Sequence, residues 1–390
     1  MRSWTLCIVA LAAIALPGCG GSSISAPPLG TYVAGSYCFD NAIDAAGNIW
    51  VANGGNGIPG TAPGESNVTE LSPSGTTIGT YVAGSVPIGI AIDKSGNVWV
   101  ENYGNGTPGP HPGESKVTEL SPSGATIGTY VAGRYPAGGI AIDTSGNVWV
   151  TNWGAASEIP GTPGTAPGDS NVTELSPSGA TIGTYVAGSS PGGIAIDSAG
   201  NVWVANKGNG TVGPGPMESN VTKLSPSGAT LATYLAGSLP EGLAIDPAGN
   251  VWVVNKGNGT PGTSAGESNI TKLNSSGTTI GTYLVGSYPE IVAVDSAGNV
   301  WAANGYHGGM NLTTSSVTEL NPSGTTIRTF ETGNQPYGIA IDRSGNVWVT
   351  NYGNGTAGTT RAESNVQEYI QAATGPQYFP YGGPQWPGAE

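Results

Sequence analysis

Positive charge is scarce in this chain. Lys and Arg number 11 against 25 acidic residues, for a net charge of −14 over 390 residues. Such a surface repels phosphate backbones, and no basic patch with interleaved aromatics offsets it, so nucleic acid is not expected as a partner. Histidine is rarer still, with only His111 and His307. Two histidines cannot assemble a three-histidine zinc centre, and neither stands beside a nucleophile signature. Cysteine is limited to Cys7, Cys19 and Cys38, which leaves no even set for a disulfide framework. Long apolar runs are missing apart from one near the N-terminus, so no other segment is suited to cross a bilayer.

That one run covers residues 6–16, follows Arg2, and ends Leu16-Pro17-Gly18-Cys19. It has the length of a signal-peptide core rather than of a transmembrane helix. The tetrapeptide resembles the bacterial lipoprotein box, with Leu at −3, Gly at −1 and Cys at +1. The resemblance implies cleavage after residue 18 and lipidation of Cys19. Two or three acyl chains then give stable anchoring, at roughly 0.8 kcal/mol per buried methylene. The expected product is an exported bacterial lipoprotein of the cell envelope, held by its lipid at the outer membrane or cell surface. Residues 19–28 read as a flexible tether of small residues.

What the chain has in abundance is repetition. Seven tryptophans, Trp50, Trp99, Trp149, Trp203, Trp252, Trp301 and Trp348, follow one another at intervals of 47 to 54 residues. The segments around them repeat too, and a period near 50 marks a repeat architecture. Gly (66) and Pro (30) are frequent, but they recur at fixed places between alternating apolar runs and so read as turns. In the second unit, 89–93 (GIAID) reads as a first strand, and Asp93-Lys-Ser-Gly-Asn97 as a tight turn. Residues 98–100 (VWV) form a second strand, 116–120 (KVTEL) a third and 126–131 (TIGTYV) a fourth. Four antiparallel strands per unit and no helical period predict an all-β, seven-bladed β-propeller over 29–375. A β-solenoid is the rival, but its coils repeat in fewer residues. Residues 30–34 (GTYVA) match a fourth strand, which the last unit lacks. The N-terminal strand is therefore expected to complete the last blade and close the ring. Residues 376–390, rich in Pro and aromatics, follow as a tail.

The run GIAID–GNVWV–N followed by SNVTELSPSG resembles the NHL-type and virginiamycin B (streptogramin) lyase-like propellers of bacteria. The resemblance covers roughly 30–371 and implies the propeller fold. Lyases of that group commonly place Glu where this chain has Asn53, Asn102, Asn152, Asn206, Asn255, Asn304 and Asn351. Their constellation pairs Glu-x-His with a histidine of a neighbouring blade. This chain contains no Glu-x-His, so no catalytic residue carries over.

The long loops at 54–65, 103–114, 153–169, 207–218, 256–267, 305–315 and 352–363 should share one face, where binding usually resides on such scaffolds. Residues opening these loops are the binding candidates: Asn102, Tyr103, Asn152, Trp153, Asn304, Tyr306, Asn351 and Tyr352. The asparagines could form a polar collar at the mouth or serve as Asx turns. Glu65, Glu114, Asp169, Glu218, Glu267 and Glu363 could attract a divalent cation or only keep strand ends soluble. No second acid converges on any of them, so no cofactor or metal is expected. The Asp-x-Ser-Gly-Asn turn lacks the spacing of a calcium loop. The expected function is a monomeric, lipid-anchored binding or scaffolding module. Its partner would be a cell-envelope protein, peptide or glycan, and its only membrane contact the lipid. The alternative is a lyase or hydrolase with altered active-site residues.

Overall fold

The computed structural model describes residues 28–369 except 63, 106, 108, 110, 112–113, 155–162, 166–168 and 306–314. The expected signal segment, the expected lipidation site Cys19, Tyr306, His307 and the tail 376–390 lie outside the described residues.

The chain forms seven four-stranded antiparallel sheets, with no helix among the described residues. Six sheets take their strands in sequence order. In the seventh, the N-terminal strand Gly30–Tyr32 pairs with Asn365–Tyr369, Gly30 opposite Glu368 and Tyr32 opposite Val366. The ring is therefore closed by its first strand, as expected. We number the blades by their innermost strands: Cys38–Ile43, Pro87–Ile92, Pro136–Ile142, Pro191–Ile196, Pro240–Ile245, Pro289–Val294 and Pro336–Ile341. Strand one starts two residues earlier than the sequence suggests in blade two, and strand two runs on through the asparagine, as in Val98–Asn102.

The repeated segment around each tryptophan is the filling between blades. Each of the seven tryptophans is at most 1% exposed. Trp50 of blade one packs with Ile90, Val98 and Val100 of blade two. Trp348 of blade seven does the same against Ile43, Ile49 and Val51 of blade one. Strand alternation explains this, since the flanking valines face one neighbouring blade while the indole faces the other. Truncating such a ring typically costs 3–5 kcal/mol.

The indole also carries polar equipment that hydrophobic patterning does not reveal. Trp50 Nε1–H donates to Asp44 Oδ2 at 3.2 Å, and Trp99, Trp149, Trp203, Trp252 and Trp348 repeat the bond. The same Asp44 accepts the backbone N–H groups of Ala46 and Asn48 through Oδ1 and so makes the turn, with Gly47 at φ 87°. Its oxygens are thus spent within the hairpin. A tyrosine of the outer strand packs on six of the indoles, as Tyr81 on Trp50 at 5.4 Å and N-terminal Tyr32 on Trp348 at 5.5 Å, and Phe330 takes that place on Trp301. Tyr81 and Tyr32 donate their hydroxyls to Glu70 and Glu368, both at 2.9 Å.

Burial first, then the bonded glutamate, pushes Tyr32, Tyr81, Tyr130 and Tyr185 up from 10.0 to about 12. For an acid whose folded pKa is raised, the native state binds more protons than the unfolded chain between the two values. These tyrosines therefore contribute stability that is fully present below pH 10 and is lost as pH rises towards 12. Urea denaturation between pH 8 and 11 should show stability falling with a slope that flattens when all four are changed to Phe. An identical slope in that variant would refute the assignment.

Candidate functional site

The long loops and the blade-to-blade links meet at one rim. Each link turns into the next blade through a residue of positive φ, from 45° to 53°, and in blade two that residue is the β-branched Val86. Such a conformation costs about 1–3 kcal/mol and persists only where its surroundings impose it. Here the backbone is held on both sides. The Val86 N–H donates to Ser66 Oγ at 3.3 Å, and its carbonyl accepts the Tyr103 N–H at 3.0 Å. Ser66 Oγ in turn donates to the Gly54 carbonyl at 2.5 Å. Leu239 with Ser219 and Tyr37 with Ser364 repeat the pattern, the last across the ring closure. The link thereby fixes two positions in every blade: the residue after the strand-two asparagine and the second residue of strand one.

These positions line a cavity of about 270 Å³ at the mouth of the central channel. After the asparagines stand Tyr103, Trp153, Lys207 and Lys256. From the second position of strand one come Phe39, Ile88, Glu241, Glu290 and Tyr337, with Asp40 and Val86 beside them. Chain order translates into a bipartite wall. Blades seven, one, two and three supply aromatic and aliphatic groups, and blades four, five and six supply charge.

The charged arc is a continuous ladder. Lys207 Nζ lies 2.5 Å from Glu241 Oε1, and Lys256 Nζ lies 3.0 Å from Glu241 Oε2 and 2.8 Å from Glu290 Oε2. Lys207 also stands over the Trp153 ring, 4.2 Å from its centroid, a cation–π contact that joins the ladder to the aromatic arc. Burial alone would raise the Glu241 carboxyl, but the two lysine charges outweigh it and hold it well below the ordinary range. Burial likewise depresses Lys256, and Glu241 with Glu290 overcome this and keep it firmly protonated. At Lys207 burial prevails and lowers the amine despite Glu241. Asp40, at the cavity floor, is pushed well above the usual carboxylate range by burial, against hydrogen bonds from the Asn41 and Ile90 N–H groups.

The aromatic arc is packed edge to face. Phe39 meets Tyr337 at 5.4 Å and Tyr352 at 5.1 Å, and Tyr103 meets Trp153 at 6.0 Å. Burial raises the Tyr103, Tyr337 and Tyr352 hydroxyls, so the wall is uncharged at neutral pH.

The expected candidates divide accordingly. Tyr103 and Trp153 line the cavity, and Tyr352 backs it through Phe39 and Tyr337. Asn102, Asn152, Asn304 and Asn351 form neither a collar nor the expected Asx turns. All four are 0% exposed and tie strand two to strand three, as Asn152 does with Asn171 at 2.9 Å and Asn102 with Thr118 at 3.2 Å. The cause is their place as the last paired residue of strand two, with the link glycine packed on the amide. A Cβ at Gly84 would meet the Asn102 side chain at 2.5 Å. The Asx turns fall three residues further on, as where Asn56 Oδ1 accepts the Ile58 N–H. The loop acids close their own loops: Glu114 accepts the His111 N–H at 2.7 Å and Glu363 the Thr360 N–H at 2.8 Å. No group of three His, Cys, Asp or Glu side chains suited to a metal occurs among the described residues.

Sequence reading missed Lys207, Lys256, Glu241, Glu290, Phe39 and Tyr337. Their signal is present in the aligned repeats, as two columns whose residue type changes from blade to blade.

The fold and the mouth define a seven-bladed β-propeller with a bipartite central cavity. No family model and no curated protein matches the chain. Among solved structures it is similar to a streptogramin B lyase, with a TM-score of 0.59 and 15% identity over 88% of this chain and 95% of that one. It also matches a Bacteroides caccae protein of unknown function and a gluconolactonase-type structure, both at a TM-score of 0.47. Their identities are 12% and 13%, over 72% and 91% of this chain and 92% and 97% of theirs. The likeness to the lyase is one of fold.

Glu241 is the pivot of the ladder, and its neutral replacement leaves two buried ammonium groups without their shared counter-charge. Glu241→Gln should cost about 3–5 kcal/mol, measured by urea denaturation, with part regained when Lys256→Met is added. A loss under about 1 kcal/mol would mean that the ladder is solvated.

Proposed function

We propose that this protein is a binding module of the bacterial envelope, anchored by a lipid on Cys19, whose ligand site is the cavity at the long-loop mouth. One observation supports this reading above the others: the cavity wall divides into an aromatic arc and a charged arc. Ligand sites are concave and largely apolar, with a few placed polar groups that fix orientation. A propeller that served only as a spacer would have no reason to keep Lys207, Lys256, Glu241 and Glu290 at its mouth, where valine or leucine would fill the same space. The scaffold also suits the task, because the strained links that carry the lining residues are held by hydrogen bonds on both sides. A small ligand, or the end of a larger one, fits the space. The lyase reading rests on fold likeness alone.

Two measurements test the two halves of the proposal. A small-molecule fragment screen by ligand-observed NMR on the full chain should find binders that Tyr103→Ala displaces. If no fragment distinguishes the variant from the parent, the cavity is not the site. Separately, the full chain expressed in a bacterial host should take up an alkyne-labelled fatty acid and sediment with membranes. Cys19→Ser should lose both properties, and retention of the label in that variant would remove the anchor.

A further inference from the structure

We infer that the cavity takes a neutral pyranose, the terminal residue of a glycan, stacked between the aromatic arc and the charged ladder. This rests on the cavity being a ligand site and adds the class of ligand.

Charge balance comes first. Two lysines and two glutamates neutralise one another along the ladder, and burial disfavours the charged form of Asp40 in the same cavity. An anionic ligand would have to draw Lys207 or Lys256 away from Glu241 and leave a buried carboxylate without its partner, which is costly. A cation faces the mirror-image problem. A neutral ligand leaves the ladder intact.

Hydrogen-bonding capacity is the second point. An ammonium has three donors and a carboxylate about four acceptor sites. Lys207 Nζ lies against one Glu241 oxygen, and Lys256 Nζ lies between the other Glu241 oxygen and Glu290. The ladder thus presents donors and acceptors in alternation a few ångströms apart, which is the pattern that adjacent hydroxyls, each both donor and acceptor, would meet. Charge-assisted bonds of this kind are roughly twice as strong as neutral ones.

Shape is the third. A pyranose has hydroxyls around its edge and a face of C–H groups, and the electron-rich face of an aromatic ring suits such a surface. Trp153 stands directly beside the ladder with Lys207 over its ring, and the rings of Tyr103, Phe39 and Tyr337 continue the aromatic wall of the same cavity. The volume of about 270 Å³ lies near the small end of the roughly 300–1,000 Å³ typical of ligand pockets. It has room for one sugar ring rather than a chain. An amino-acid zwitterion would also meet both signs of charge, but it would compete with ion pairs already made.

The test uses the full chain with a panel of neutral methyl pyranosides, charged counterparts (glucuronate, glucosamine) and aromatic fragments (indole, phenol). Binding is read by saturation-transfer NMR and calorimetry. At least one neutral pyranoside should bind more tightly than its charged counterparts. Trp153→Ala and Lys207→Met should each weaken it about tenfold or more, whereas Trp153→Tyr, which keeps a stacking face, should retain most of the affinity. Thermal unfolding confirms that each variant is folded. Fragments that bind and are lost in Trp153→Ala while no neutral pyranoside binds would overturn the sugar assignment and leave the cavity as a ligand site. A pyranoside bound equally by both variants lies elsewhere and also overturns it. If neither sugars nor fragments bind, both readings fall.

Discussion

A buried indole between each pair of blades is the constraint on which the rest of the molecule depends. A propeller blade is a small sheet with two faces to cover, and only its neighbours can cover them. Trp50 and its six counterparts do this with one large side chain per junction. The aspartate that makes the hairpin turn also satisfies the indole N–H in six of the junctions, namely those of Trp50, Trp99, Trp149, Trp203, Trp252 and Trp348. Turn formation and blade packing therefore share a residue, and neither can drift without disturbing the other. At the junction of Trp348, between blades seven and one, the outer strand is supplied by the N-terminal strand. Tyr32 stacks on Trp348 and donates to Glu368 as Tyr81 does on Trp50 and to Glu70. The closing strand thus reproduces both the ladder pairing and the side-chain equipment of an ordinary fourth strand.

Because the packing is so uniform, variation has few places to go. The hairpin turns are fixed by Asp, Gly and Asn. The strand-two asparagines are fixed by their buried bonds to strand three and by the link glycines pressed against them. The long loops vary, yet their acids fold back on their own backbones. Among the positions left free to vary are the two held at the inner rim by the strained link. Their residues range from Gly54 and Gly192 to Trp153, Lys256 and Glu290. A rigid frame with a variable inner rim is the arrangement by which a repeat fold acquires a specific site.

The fold was legible because seven copies average out local ambiguity. Period, turn residues and the stray fourth strand at 30–34 together determine blade number and closure. The aromatic half of the site was partly legible too, since Tyr103 and Trp153 stand out at the start of their loops. The charged half was not. Lys207, Glu241, Lys256 and Glu290 look like scattered surface charges along the chain, and their ladder exists only once consecutive blades are laid side by side around a ring. The asparagines misled for a related reason. Asn before a Gly-rich loop suggests a turn, but strand two continues one residue further and buries it. Patterning identifies the residue type and misses the last rung of the sheet.

The ladder gathers four charged side chains at the mouth, whereas the blade junctions are filled chiefly by Val, Ala and Trp. Four charged side chains, each no more than 18% exposed, carry a desolvation penalty that their mutual attraction only roughly repays, and hydrophobic residues of similar volume would be neutral or better for stability. Fold specificity does not need them, because blade register and ring closure are already set by hydrogen-bonded turns and buried indoles. Solubility does not need them either, because the surplus of 14 negative charges lies with the acids outside the ladder, whose own charges sum to zero. A costly, electrically neutral and strongly polar strip facing an aromatic wall is best accounted for by something that docks there, and neutrality is what argues that the docked group is polar without being charged.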